Sequence, residues 1–259
     1  MNMFDLTGRV AVVTGGNGGI GLGIAQALVS SGCNISIWGR NPEKNQAAVA
    51  TMAAGPGKVE SRVCDVTSSA SVNDAMKATL DAFGRVDGSF ANAGIGGGGR
   101  RAFVERTEEE WRTMFATNLD GVFHAFQAAA RHMTERANNG DKFGRLVATS
   151  SLASLFGTAR NEHYAATKAA LNALCRALAV ELARYGVTAN AILPGWIKSD
   201  MTAKIMADDK FVGNVMPRIP MRRFGEPSDF GGIAVYLMSK ASSYHTADCF
   251  VIDGGYTAF

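Results

Sequence analysis

Short apolar runs alternate along the chain with longer stretches in which apolar residues recur every three or four positions. Compact β-branched runs are the pattern of strands buried on both faces, and the longer period is that of helices lying on such a sheet. Residues 10–14 form the first run and end in glycines. Residues 20–31 follow with helical spacing and stop at Gly32. The same reading predicts strands over 34–38, 59–63, 86–91, 144–149, 187–193 and 249–252. It predicts helices over 42–54, 68–83, 162–185 and 227–238, and a long middle helix from Glu108 to about Glu135. Strands that alternate with helices imply a parallel sheet with helices on both faces. No internal repeat and no linker interrupts the alternation, so residues 1–259 are expected to form a single domain.

Composition narrows the function classes. With 47% hydrophobic residues in 259, the chain can bury a sizeable core. The formal charge of +3 comes from 26 basic and 23 acidic residues that are scattered, and the pairs Arg100-Arg101 and Arg222-Arg223 make no basic stripe. A nucleic-acid partner is therefore not expected. Cys33, Cys64, Cys175 and Cys249 include no C-x-x-C pair, and His124, His132, His163 and His245 have no ligand-like spacing, so no metal site is expected. No signal-like leader and no run of about 20 apolar residues occurs. The expectation is a cytoplasmic protein with no membrane partner.

The first strand runs into T-G-G-N-G-G-I-G, from Thr14 to Gly21, and a helix follows. Phosphates bind at such a turn through backbone N–H groups and the positive end of the helix, and glycines allow the close approach. Position after a strand and before a helix is the context a dinucleotide turn requires. Further on, Y-A-A-T-K begins at Tyr164 and ends at Lys168. Residues four apart share a helix face, so the ammonium lies near the phenol. A cation there is expected to lower the phenol pKa by about 1–3 units and suit it to proton transfer. Thr149-Ser150-Ser151 closes the preceding strand and brings hydroxyls to the same sheet edge.

The glycine spacing, T-G-x-x-x-G-x-G with Gly15, Gly19 and Gly21 fixed, resembles that of the short-chain dehydrogenase/reductase family in its classical subgroup. The resemblance extends over essentially the whole chain. It implies a Rossmann-type doubly wound α/β fold with about seven parallel strands, a lid at about 198–224, and an NAD(P)-dependent interconversion of an alcohol and a carbonyl by hydride transfer. Ser151, thirteen residues before Tyr164, matches the family's serine and is expected to hold the substrate oxygen, while Ser150 and Ser154 are the structural alternatives. T-N-L-D-G-V-F matches the family's asparagine segment, so Asn118 is expected to hold a water that links Lys168 to solvent. Gly15, Asn17, Gly19, Ile20 and Gly21 are the expected phosphate-side contacts. Asp65 and Val66 are expected beside the adenine, and Asn92, Ala93 and Gly94 along the cofactor wall. Pro194, Gly195 and Ile197 are expected to face the nicotinamide, together with Tyr164 and Lys168. Two departures stand out. Ser199 occupies a position where the family often has Thr, and Ala247-Asp248 stands where it often has Gly-Gln.

The second strand ends Ile37-Trp38-Gly39-Arg40-Asn41, without the carboxylate that holds the ribose hydroxyl of NAD. Arg40 suits a 2′-phosphate, so NADP(H) is favoured over NAD(H). Arg100 and Arg101, in the loop after the fourth strand, either meet an acidic substrate or are solvated. The resemblance also implies a homotetramer or homodimer paired through the two long helices, and a small-molecule alcohol or carbonyl substrate. The competing class is a non-catalytic NAD(P)-binding sensor or regulatory subunit. It usually lacks the tyrosine or the lysine, and both are present here. A longer epimerase-type chain would carry an added substrate domain, and a methyltransferase would not account for Tyr164 and Lys168.

Overall fold

The computed structural model describes residues 3–97 and 101–258. Among them are seven strands, β1 (Val10–Thr14), β2 (Asn34–Gly39), β3 (Val59–Val63), β4 (Gly88–Ala91), β5 (Gly144–Thr149), β6 (Val187–Pro194) and β7 (Cys249–Ile252). They form one parallel sheet in the order β3-β2-β1-β4-β5-β6-β7. The helices in chain order are α1 (Gly19–Ser30), α2 (Pro42–Met52), α3 (Ser69–Phe83), α4 (Glu108–Phe115), α5 (Gly121–Asn138), α6 (Glu162–Leu182), α7 (Ala203–Met206), α8 (Asp209–Val215) and α9 (Gly231–Met238).

Alternate residues of a strand face opposite sides, and β1 divides accordingly. Val10 and Val12 join the apolar layer that includes α3, α5 and α6, while Ala11 and Val13 join the layer of α1, α2 and α9. The chain lays β2 and β3 on one side of β1 and then returns to lay β4 on the other. This reversal opens a crevice at the carboxyl ends of β1 and β4, where ligands bind in open α/β sheets. Helix starts are set locally: Asn41 accepts the Lys44 N–H at 2.8 Å with Pro42 in the first turn of α2, and Thr107 with Glu110 forms a capping box on α4. Gly23 lets α1 approach the turn at Pro227–Phe230, since a Cβ there would lie 2.1 Å from the Pro227 carbonyl oxygen.

The sequence reading and the structure differ in detail. The long middle helix is two helices joined by a π turn at Ala116–Asp120, where the Gly121 N–H reaches back to the Ala116 carbonyl. The expected helix at 162–185 leaves the α form after Leu182 and closes with a 3-10 turn, Ala183–Tyr185, before Gly186 at φ 72°. The strand expected from Val86 begins at Gly88, and the helix expected from Pro227 opens as a 3-10 turn.

The departure at Ala247-Asp248 has a structural cost. Ala247 sits at φ 68°, the left-handed region that an L side chain enters at about 1–2 kcal/mol. It is held there by its own N–H on the Ala189 carbonyl at 2.8 Å and by the Asp248 N–H on Asn190 Oδ1 at 3.1 Å. Ala247→Gly relieves the strain but adds freedom to the unfolded chain, which offsets about 0.4–1 kcal/mol. The expected result is a net gain of about 0.5–1 kcal/mol, read as a rise of about 1–4 °C in Tm. A fall in Tm would mean that the left-handed conformation is not strained here.

Candidate active site

The carboxyl ends of β1, β4 and β5 are cross-braced into one platform. Thr14 Oγ1 accepts the N–H groups of Asn92 and Ala93, each at 3.0 Å. Asn92 Nδ2 donates to the carbonyls of Thr14 and Gly15, both at 3.3 Å, and Thr149 Oγ1 donates to Asn92 Oδ1 at 3.2 Å. The Asn92 carboxamide is thus committed to the frame. Gly15, at φ 65°, and Gly21 pack against it. A Cβ on Gly21 would lie 2.3 Å from the Gly15 carbonyl oxygen and 2.5 Å from Asn92 Nδ2. Gly18 precedes α1 without a side-chain cap, and a Cβ there would meet nothing within 4 Å. The first turn of α1, with Gly19 and Ile20, therefore keeps its N–H end uncapped by any side chain.

Beside this turn lies a groove of about 280 Å³, lined by Gly15, Asn17, Arg40, Asp65, Val66, Ala93, Gly94 and Ile95, among others. Asn17 is anchored from behind, because its Nδ2 donates to Asn45 Oδ1 at 2.6 Å. Buried Asn45 in turn donates to the carbonyls of Gly39 and Arg62. The Thr67 backbone and hydroxyl, together with the charge of Arg40, hold the Asp65 carboxyl below its ordinary range. Arg40 itself is exposed. A groove that joins the glycine turn to a basic side chain, beside an uncapped helix start, suits a dinucleotide with its pyrophosphate at the glycines.

The other wall comes from β6 and the segment after it. Gly195 runs against Asp253, where a Cβ would lie 2.8 Å from the Asp253 Cα, and its N–H bonds to the Ile252 carbonyl at 2.9 Å. Ile197 is buried, and Ser199 Cβ lies 3.4 Å from where a Cβ on Gly19 would stand. The chain at Ser199 thus lies against the glycine turn. Met201 reaches the loop after β4, with its Cγ 3.2 Å from where a Cβ on Gly96 would stand. The expected lid at 198–224 contains α7, α8 and a 3-10 turn at Met216–Arg218.

Between these walls the polar residues converge. Tyr164 and Lys168 share one face of α6, with Lys168 Nζ 5.6 Å from the centre of the tyrosine ring. Lys168 is 5% exposed and donates to the Thr149 carbonyl at 2.7 Å, which fixes it against the end of β5. Burial pushes its ammonium down to about 8. The Ser151 hydroxyl lies near enough to the Tyr164 phenol to favour its ionised form, and it accepts the Ala153 N–H at 3.1 Å. Ser150 and Ser154 are turned elsewhere, to the carbonyls of Lys168 at 2.8 Å and of Ser151 at 2.6 Å.

The phenol departs from the sequence expectation in sign. Burial raises the Tyr164 pKa above its ordinary value, and the nearby Ser151 hydroxyl only partly opposes this. The nearby ammonium does not set the shift in the protein alone. Desolvation disfavours the phenolate, and Lys168 gives a hydrogen bond to a carbonyl rather than to the phenol.

Asn118 lies in the π turn, fully buried, with its carboxamide spent on two neighbours: Oδ1 accepts the Ile95 N–H at 2.8 Å, and Nδ2 donates to the Ile95 carbonyl at 3.0 Å and to Met114 Sδ at 3.0 Å. A Cβ on Gly94 would lie 3.2 Å from Asn118 Oδ1 and 3.7 Å from Lys168 Nζ, so these three residues meet at one point. Arg101 pairs with Glu110 at 3.2 Å, while Arg100 lies outside the described residues. Sequence reasoning missed the bracing roles of Thr14 and Asn45. Thr14 could have been singled out as a hydroxyl at the end of an otherwise apolar strand, whereas nothing local marks Asn45.

Residues 15–257 match the family model described as Enoyl-(Acyl carrier protein) reductase. The chain belongs to the short-chain dehydrogenase/reductase family. It is 32% identical to the 3-oxoacyl-(acyl-carrier-protein) reductase FabG of Chlamydia pneumoniae, over 97% of this chain and 98% of that protein. It is 34% identical to the gluconate 5-dehydrogenase of Gluconobacter oxydans (strain 621H), over 99% of this chain and 97% of that protein. Among solved structures, a gluconate 5-dehydrogenase from Burkholderia cenocepacia J2315 in complex with NADP and tartrate superposes with a TM-score of 0.91 at 31% identity, covering 100% of this chain and 98% of that one. The chain is thus an NAD(P)-dependent short-chain dehydrogenase/reductase with a Rossmann fold, an oxidoreductase acting on small molecules. Among the described residues no helix is long and apolar enough to cross a membrane, and no group of side chains is arranged to hold a metal ion.

Proposed function

We propose that this short-chain dehydrogenase/reductase interconverts a secondary alcohol and a carbonyl with Tyr164 as the proton donor and acceptor, and that it uses NADP(H) in preference to NAD(H). The observation that carries the reading is the meeting of Tyr164 and buried Lys168 on one helix face, with Ser151 near the phenol and Lys168 Nζ 3.7 Å from where a Cβ on groove-lining Gly94 would stand. A bound nicotinamide supplies the hydride for reduction or takes it up in oxidation. Gly15, Asn17, Gly19, Ile20 and Gly21 would hold the pyrophosphate, and Asp65 and Val66 the adenine. Ala93 and Gly94 would form the wall that Asn92 braces. Pro194, Gly195, Ile197 and Ser199 would hold the nicotinamide end.

Ser151 and Tyr164 grip the substrate oxygen from two sides, which fixes it and stabilises the charge that develops there. A phenol held above its ordinary value by burial keeps its proton at neutral pH, the state needed to protonate a carbonyl oxygen as it becomes an alkoxide. Lys168, down at about 8, is still largely charged at neutral pH and favours the phenolate left behind. Asn118 and the π turn form the wall beside Lys168 through which a water would return the proton from solvent.

Arg40, with no carboxylate at the end of β2, supports the choice of NADP(H). The gluconate 5-dehydrogenase relatives, one of them solved with NADP and tartrate, make hydroxy and keto sugar acids the first class to try. The working picture is a single domain, cytoplasmic, that pairs into a homodimer or homotetramer through α5 and α6, which expose Phe123 and Val180.

The test is matched NADPH and NADH oxidation over keto sugar acids, 3-oxoacyl thioesters and simple ketones. Turnover with at least one class and a lower KM for NADPH is expected. NADPH binding with no consumption on any class would instead support the sensor reading, and a lower KM for NADH would overturn the role of Arg40.

A further inference from the structure

The end of β2 offers one cation to an adenosine 2′-phosphate, and the next helix carries a second close by, because groove-lining Asn41 accepts the Lys44 N–H at 2.8 Å. Lys44 stands four residues beyond Arg40, in the first turn of α2, which Asn41 caps. Asn41 and Arg40 both line the dinucleotide groove. The Lys44 ammonium reaches Asp200 Oδ2 at 3.0 Å. Asp200 follows Ser199, whose Cβ packs over the glycine turn at Gly19. The ion pair therefore spans from the adenosine side of the groove to the start of the lid, joining residues 156 apart in sequence. Both side chains are exposed, 62% for Lys44 and 91% for Asp200, so water screens the pair and a more highly charged partner can replace either member. Arg40 makes no hydrogen bond or ion pair among the described residues, and its charge falls on Asp65 across the groove.

We propose that Lys44 is the second cation of the 2′-phosphate subsite, that Asp200 holds it while the subsite is empty, and that Asp200 thereby tunes the choice between NADP(H) and NAD(H). A phosphate monoester carries about 1.5–2 negative charges and three acceptor oxygens, against one charge on a carboxylate. It outcompetes Asp200 for Lys44 while Arg40 engages it from the other side. Binding of a 2′-phosphate exchanges one ion pair for a stronger one and releases Asp200, with the start of the lid, from α2. The uncharged 2′-hydroxyl of NAD(H) gives Lys44 nothing to exchange for and leaves the pair to Asp200 intact. Asp200 is thus an internal competitor of the phosphate, and removing its charge sharpens the preference for NADP(H). The inference rests on the preference for NADP(H) proposed above and adds the residues that set its size.

Fluorescence titration with 2′,5′-ADP and with 5′-ADP tests this without turnover. Wild type, Arg40→Ala, Lys44→Ala and Asp200→Asn are compared, each first shown to melt within a few degrees of wild type. Lys44→Ala is expected to raise the Kd for 2′,5′-ADP about 5–10-fold and leave that for 5′-ADP within about 2-fold. Asp200→Asn is expected to lower the Kd for 2′,5′-ADP about 3-fold with 5′-ADP unchanged, and both effects should shrink as salt is raised. If Arg40→Ala erases the discrimination while Lys44→Ala and Asp200→Asn leave it intact, the Lys44–Asp200 subsite is wrong and the NADP(H) reading stands. If wild type binds the two nucleotides equally, the NADP(H) reading fails and the subsite with it.

Discussion

Tyr164→Phe is expected to lower kcat for carbonyl reduction by about 10²–10⁴-fold while the Kd for the dinucleotide stays within about 2-fold. The substitution removes one oxygen. It leaves the ring on α6 and leaves Lys168 bonded to the Thr149 carbonyl, so the cleft keeps its shape. Only the proton donor and one half of the grip on the substrate oxygen disappear, and both matter most as charge develops on that oxygen. The loss should therefore fall on kcat and on kcat/KM together. The wild-type pH profile should carry the same signature. Because burial holds the phenol above its ordinary value, reduction should stay level through neutral pH and decline only on the alkaline side, as the phenol loses its proton. Alcohol oxidation needs the phenolate and should rise over that alkaline range. A Tyr164→Phe enzyme that turns over within about 10-fold of wild type would remove the phenol from the mechanism.

Gly21→Ala should damage both the fold and the cofactor site. Backbone conformation gives no reason for loss, since Gly21 is helical and alanine is the better helix former by about 1 kcal/mol. Space decides against it. The added Cβ would stand 2.3 Å from the Gly15 carbonyl oxygen and 2.5 Å from Asn92 Nδ2, and neither can yield freely. Asn92 is tied to Thr14, Gly15 and Thr149. Overpacking of this kind costs about 1–3 kcal/mol beyond the propensity gain. Tm is expected to fall by about 4–10 °C. Displacing Gly15 also shifts the turn that would hold the pyrophosphate, so the Kd for the dinucleotide should rise about 10-fold or more. Gly18→Ala is the internal control, because its Cβ would meet nothing within 4 Å. It should melt within a few degrees of wild type. Equal effects from the two substitutions would mean that packing against Asn92 is not what Gly21 protects.

The sheet was legible because its strands are buried on both faces, which leaves continuous apolar runs such as Leu146, Val147 and Ala148. Order along the chain then gave the architecture, and motifs at strand ends gave the crevice. What escaped depended on contacts distant in sequence. The π turn at Ala116–Asp120 was invisible because helical periodicity continues through it, and the bonds of the Asn118 carboxamide to Ile95 and Met114 account for an asparagine there. Arg101 read as either a substrate contact or a solvated side chain, and its partner Glu110 on α4 was not among those alternatives. The spacing of Tyr164 and Lys168 fixed their shared face but not the sign of the phenol's shift, because burial is set by the whole cleft rather than by one helical turn. Asn45 carries no local mark of its role, since its partners Asn17, Gly39 and Arg62 lie on three separate segments. Ala247 shows the opposite case. The sequence marked it only as a departure from the family's Gly-Gln, and the left-handed backbone there shows why a glycine would suit the position.

The most direct test is a crystal structure of the protein with NADP⁺ and an alcohol that it oxidises. The alcohol oxygen is expected within about 2.6–3.2 Å of both Tyr164 Oη and Ser151 Oγ, with the nicotinamide stacked between that alcohol and the wall of Pro194 to Ile197. An ordered dinucleotide whose nicotinamide lies away from both hydroxyls, or an alcohol oxygen that touches neither, would contradict the account.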